Sequence, residues 1–122
     1  MSAELNTLHL PLVEQADPSS FDEKVFGPRG ELVVVYFWGK NCPNCEIFAR
    51  YLPGLLEALR GAPFRIVKVN VYEHMSLATR FALVGIPAFL LVRDGKKLGK
   101  LSEFYDKDTW LGIIQEHLPE PA

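Results

Sequence analysis

Cys42 and Cys45 are the only cysteines in the 122-residue chain, and they stand three apart in Cys42-Pro43-Asn44-Cys45. This C-x-x-C follows a run of β-branched and aromatic residues and opens a helical pattern, a context in which the spacing points to redox chemistry. Residues three apart on a helix have neighbouring Cβ atoms, so the two sulfurs can reach the separation that a disulfide requires. Pro43 fits the first helical turn, where its missing N–H leaves no bond unmade. At a helix N-terminus the unpaired N–H groups and the macrodipole favour an anion, so Cys42 is expected to ionise more readily than a free thiol of pKa about 8.5. A fall to about 7 raises the thiolate fraction at neutral pH roughly 15-fold, while a Brønsted coefficient of about 0.45 lowers intrinsic nucleophilicity about 5-fold. The net gain as attacker is a few-fold. A low pKa matters equally for departure, because Cys42 then leaves readily when Cys45 attacks a mixed disulfide. Two structural thiols, or half of a zinc site, are the other readings of the pair. His9, His74 and His117 are widely spaced and there is no second C-x-x-C, so a metal requires two chains to pool four thiolates.

The chemistry needs a scaffold, and the composition supplies one. A 48 % apolar content suffices for one hydrophobic core at this length, and two cysteines are too few to act as folding staples. Thirteen basic against fifteen acidic residues give a net charge of −2 with no long run of either sign, which favours neither nucleic acid nor an anionic membrane as partner. The longest apolar runs, Leu32 to Trp38 and Ile86 to Val92, fall far short of the roughly 20 residues of a membrane helix. Met1 to Val13 lacks a positively charged leader, so a cytoplasmic protein is expected.

The elements that position the cysteines are legible as periodicities. Residues 1–16 form an N-terminal extension that can hold a short edge strand, and Ser20-Phe21-Asp22-Glu23 matches a capping box opening a brief helix that Gly27-Pro28-Arg29-Gly30 stops. Leu32 to Trp38 is an unbroken apolar run, the pattern of a central strand buried on both faces. Phe48, Leu52, Leu55 and Leu59 then mark an amphipathic helix, in which Pro53 predicts a kink. Phe64 to Val71 reads as a second strand, with Val67, Val69 and Val71 on one face and Phe64 and Ile66 on the other; the intervening helix implies parallel pairing. A short helix over Met75 to Leu83 follows, then a strand over Ala88 to Val92, a hairpin turn at Asp94-Gly95 and a returning strand over Lys97 to Phe104. Asp106 or Asp108 caps a last helix whose Trp110, Leu111, Ile114 and Leu118 share one face.

With these residues placed, the chain resembles the thioredoxin family from about Phe21 to Leu118. The matches are Val34-Val35-Tyr36-Phe37-Trp38-Gly39 before the cysteines, Lys68-Val69-Asn70-Val71 in the next strand, and Gly85-Ile86-Pro87 followed by Asp94-Gly95. The resemblance implies that Pro87 follows a cis peptide bond and faces the cysteines, that Ile86 offers its backbone to an extended substrate, and that Trp38 lies beneath the active site. It also exposes departures. Pro43-Asn44 stands where thioredoxin itself has Gly-Pro, and Tyr36 replaces a buried aspartate that assists proton transfer, although a phenol of pKa about 10 is no base at neutral pH. Lys68, the neighbour of that aspartate in the family, loses its partner and reads as an amine snorkelling from a strand end. Asn41 replaces an aromatic, Arg50 occupies the family's helix-kinking proline position, and Glu46 and Glu103 add negative charge to the docking face.

The expectation is thus an α/β, thioredoxin-like fold, a central mixed β-sheet flanked by helices on both faces, forming one domain over 1–122 with its core at about 21–118. The expected activity is reduction of protein disulfides, with Cys42 and Cys45 catalytic and Trp38, Pro43, Ile86 and Pro87 binding substrate. No cofactor is required. A reducing partner, such as a thioredoxin reductase-like enzyme, and a monomeric state are expected. Pro43-Asn44 and the missing acid leave open a net thiol oxidase or disulfide isomerase; Glu46 and Glu103 leave open a non-catalytic binding or chaperone module.

Overall fold

A computed structural model describes residues 9–120, so the first eight residues of the N-terminal extension lie outside the described residues. In chain order the elements are β1 (Leu12–Gln15), α1 (Phe21–Phe26), β2 (Leu32–Trp38), α2 (Pro43–Ala58), β3 (Phe64–Asn70), α3 (Met75–Arg80), β4 (Ala88–Arg93), β5 (Lys96–Leu101) and α4 (Lys107–His117). The strands form one sheet in the order β1-β3-β2-β4-β5, with β1 and β2 parallel to β3 and β4 antiparallel to both β2 and β5. The sheet is mixed, as expected, and β2 stands at its centre.

Alternation along the strands divides the core in two. Val33, Val35 and Phe37 join Val67, Val69, Leu90 and Val92 on one face, which α1 covers with Phe21 and Val25 and α3 with Leu77. Leu32, Val34 and Tyr36 join Phe64, Ile66, Phe89 and Leu91 on the other, which α2 covers with Phe48 and Leu55 and α4 with Trp110 and Ile114. Both faces of β2 are therefore dry from Leu32 through Phe37. Each such side chain contributes about 1.5–3 kcal/mol on burial, which fixes the strand's register against a one-residue slip.

Several boundaries differ from the sequence expectation, each for a local reason. The capping box sits three residues upstream of Ser20: Asp17 Oδ1 accepts from the Ser20 backbone N–H at 2.9 Å, and Ser20 Oγ accepts from the Asp17 N–H at 3.1 Å. Pro18 stands in the first position of that turn, where its fixed φ suits it. The Ser19 hydroxyl and the Ser20 N–H together hold the Asp17 carboxyl down at about 2. Helix α2 runs through Pro53 as one element, and Ala49, whose carbonyl loses its partner there, is exposed to water. Strand β3 stops at Asn70 rather than Val71, and β4 extends one residue past Val92 to Arg93. Strand β5 ends at Leu101, and Phe104 leaves the sheet to pack against Phe48 at 5.1 Å between ring centroids. Asp94 and Gly95 both take positive φ, 50° and 77°, as a tight hairpin turn demands. Asp106 is the cap of α4, accepting from the Thr109 N–H at 2.7 Å.

Helix α3 stops at Arg80 rather than Leu83. The Leu83 N–H donates to the Ala78 carbonyl and the Ala82 N–H to the Thr79 carbonyl, both at 3.1 Å, which is the paired closure of a Schellman motif. Ala82 holds the left-handed position of that motif at φ 52°, where glycine is the usual occupant. Ala82→Gly is expected to raise the unfolding free energy by about 0.5–1 kcal/mol, the relief of the left-handed strain exceeding the extra freedom of glycine in the unfolded chain. Urea denaturation of the two proteins measures it, and an unchanged or lower midpoint would contradict the account.

Tyr36 lies 4.8 Å from Phe48 and 5.5 Å from Phe89, centroid to centroid, and burial pushes its phenol up to about 12. Because the folded state resists ionising this group, its contribution to stability is complete below the unfolded value near 10 and is lost as pH rises from there through about 12. Tyr36→Phe should therefore weaken the fall of the denaturation midpoint across that alkaline range; an identical fall in both proteins would show that the phenol is not held neutral.

Candidate active site

The register of three strands brings the site together. Phe37 pairs with Ala88 of β4 and Trp38 with Asn70 of β3, so the end of β2 meets the start of β4 at one edge of the sheet. Gly39, Lys40 and Asn41 carry the chain from β2 to α2. Asn41 adopts φ 57°, a left-handed conformation that asparagine tolerates better than most residues. Gly39 is required for space: a side chain there would run into the Tyr72 ring and Ile86 Cδ1.

Cys42 is the N-cap of α2, with Pro43 in the first turn. The two cysteines are joined by a disulfide, with Cα atoms 5.2 Å apart. Cys42 Sγ accepts from the Cys45 backbone N–H at 3.1 Å, so the helix end offers a donor to the sulfur itself. It also lies 3.6 Å from the Ile86 carbonyl oxygen, to which a reduced Cys42 thiol can donate. The Ile86–Pro87 peptide bond is cis, as the family resemblance implies. The helix tip is less open than the sequence reading implies, since Cys42 is 7 % and Cys45 4 % exposed; Pro43 and Asn44 are the parts that meet solvent.

The remaining residues singled out from the sequence fall around this pair. Tyr36 donates from its hydroxyl to the Cys45 carbonyl oxygen at 3.3 Å, which ties the first turn of α2 to the core. A neutral phenol near 12 takes no proton from a thiol at neutral pH, so the missing aspartate is not functionally replaced. Lys68 has exchanged its expected partner for an aromatic one: Nζ sits 4.9 Å from the centroid of the half-buried Trp38 ring, an attraction between cation and π face that the strand-end reading did not foresee. Pro87 is buried and Ile86 half-buried, whereas Glu46, Arg50 and Glu103 are exposed. Sequence reasoning missed Tyr72, whose ring seals Gly39 and lines a groove of about 220 Å³ beside Ile86 together with Val71, Leu83 and Val84. Its only signal was an exposed aromatic directly after a strand.

Comparison with known proteins agrees with this geometry. The sequence profile of the thioredoxin family matches residues 12–116. Thioredoxin from Griffithsia pacifica is 28 % identical over 106 residues, covering 87 % of this chain and 95 % of its own length. Thioredoxins from Staphylococcus saprophyticus and Staphylococcus haemolyticus are each 29 % identical over 100 residues, covering 82 % of this chain and 92 % of their own. A C-x-x-C disulfide capping a helix, set against a cis-proline on a mixed five-stranded sheet, and a profile match over nearly the whole chain converge on one assignment: this chain belongs to the thioredoxin family and is a thioredoxin-type thiol–disulfide oxidoreductase acting on protein disulfides.

Proposed function

We propose that Cys42 is the attacking sulfur and Cys45 the resolving one, and that the protein works as a net reductant. The observation that carries this reading is the N–H of Cys45 directed at Cys42 Sγ across 3.1 Å, at the end of a 16-residue helix whose dipole favours the thiolate. Cys42 thiolate attacks one sulfur of a substrate disulfide, forming a mixed disulfide and expelling the other substrate sulfur as a thiolate. Cys45, having lost its proton to solvent, attacks Cys42 Sγ; the bond from Cys42 to the substrate breaks, the substrate sulfur it held leaves as thiolate, and Cys42–Cys45 is now the disulfide. Two electrons pass to the substrate, and an external dithiol or a thioredoxin reductase-like partner returns them. The Ile86 carbonyl faces Cys42 Sγ at 3.6 Å and Pro43 is exposed at the helix tip, which supports a reading of Pro43, Ile86 and Pro87 as the bed for an extended substrate, with Trp38 beneath. Both cysteines are committed to the exchange and none serves as a structural staple, which suits a reducing compartment such as the cytoplasm. The chain acts as one domain and as a monomer, since helices cover both faces of its sheet.

Cys42→Ser is expected to abolish reduction of a protein disulfide, measured by thiol release. Cys45→Ser should still attack once and accumulate a mixed disulfide that mass spectrometry detects. Undiminished turnover by Cys42→Ser would remove the nucleophile assignment. Equilibration in glutathione buffers tests direction: a potential near −270 mV is expected of a reductant, and one near −120 mV would make the protein a net oxidant.

A further inference from the structure

A second groove begins at Asn44, between the two cysteines, and plays no part in the exchange as described. It holds about 400 Å³ between α2 and the segment that joins β5 to α4. From α2 it takes Asn44, Ile47 and Tyr51, which share a helix face by their spacing, and from the other wall Phe104, Tyr105 and Asp108. The floor is rigid, because Phe104 packs on Phe48 at 5.1 Å and beside Tyr51 at 6.0 Å between centroids. The walls are apolar yet wet: Ile47 is 39 %, Tyr51 44 % and Tyr105 65 % exposed. Around them stand carboxylates. Asp106, whose carboxyl accepts from the Thr109 N–H and hydroxyl, and Asp108 line the wall with one ammonium, Lys107; just outside the lining stand the exposed Glu103 and, next to Tyr51, Arg50.

We infer that this groove selects substrates, receiving the stretch of a disulfide-bearing polypeptide that flanks the attacked cysteine and carries a Lys or Arg next to an apolar residue. The inference rests on the exchange reading given above. Because Asn44, which lines the groove, stands between the two cysteines, an occupant sits within a residue or two of the C-x-x-C along the chain. Its exposed aromatics offer a seat for an apolar side chain, and its excess of carboxylates complements a cation and opposes an acidic segment. Distance sets the position: Asn44 to Tyr51 spans about 10 Å of helix, and an extended segment advances about 3.3 Å per residue, so the basic residue falls about three residues from the substrate cysteine.

The test uses the pre-reduced full chain and two disulfide-linked peptides that differ only in Lys or Glu three residues from the cysteine, with the neutral hydroxyethyl disulfide as reference. The second-order rate for the Lys peptide should exceed that for the Glu peptide by about five- to tenfold at low salt, and the ratio should shrink towards one in 0.5 M NaCl. The pair Glu103→Gln with Asp108→Asn should lose most of that ratio, and Tyr105→Ala should slow both peptides, with the hydroxyethyl disulfide rate unchanged in each. Glu57→Gln, the same kind of charge change at the far end of α2, should keep the ratio. Equal rates for the two peptides, or a preference that survives the groove variants, would overturn the inference while leaving the exchange chemistry intact. A parent protein that reduces neither the peptides nor the hydroxyethyl disulfide would bring down the exchange reading itself.

Discussion

The structure depends on how β2 is held between β3 and β4. Its parallel register with β3 and antiparallel register with β4 place the last residues of one strand beside the first residues of another, which enters the sheet some fifty positions later in the chain. Fully buried side chains on both faces enforce that register, because a slip of one residue would drive Val33, Val35 and Phe37 into the opposite layer. The meeting of Cys42 with the Ile86 carbonyl follows from that packing.

Around this junction the charged and polar groups have been redistributed relative to the family pattern. A neutral phenol fills the interior position where an acid would assist the resolving thiol, and the neighbouring lysine has turned to the π face of Trp38. The indole gives this half-exposed ammonium a partner without introducing a second charge. The result is a neutral phenol and an indole-bound ammonium beneath the disulfide, with Asp106 and Asp108 outside, on the wall between α2 and the segment leading into α4.

Strong periodicities made most of this legible in the sequence. The alternation in Phe64 to Val71 assigns each side chain to the correct layer, and Cys42-Pro43 gives the start of α2. What was hidden lies where backbone conformation is chosen by non-local bonds. Nothing in Ala82 announces a left-handed residue, so the short α3 could not be told from a longer one. Asp17-Pro18-Ser19-Ser20 carried a capping signature that the equally plausible Ser20-Phe21-Asp22-Glu23 obscured, and only the hydrogen bonds separate them. The partner of Lys68 depended on a diagonal between adjacent strands, which composition does not record.

The bond from Tyr36 to the Cys45 carbonyl has a mechanical consequence. It anchors the main chain of the first helical turn to a ring wedged between Phe48 and Phe89, so that making or breaking the sulfur link moves side-chain atoms against a fixed frame. Close-packed interiors deform little, so the ring is a firm anchor. The two sulfurs are thus carried on main chain whose position is set by the packed layer beneath it rather than by the loop that precedes them.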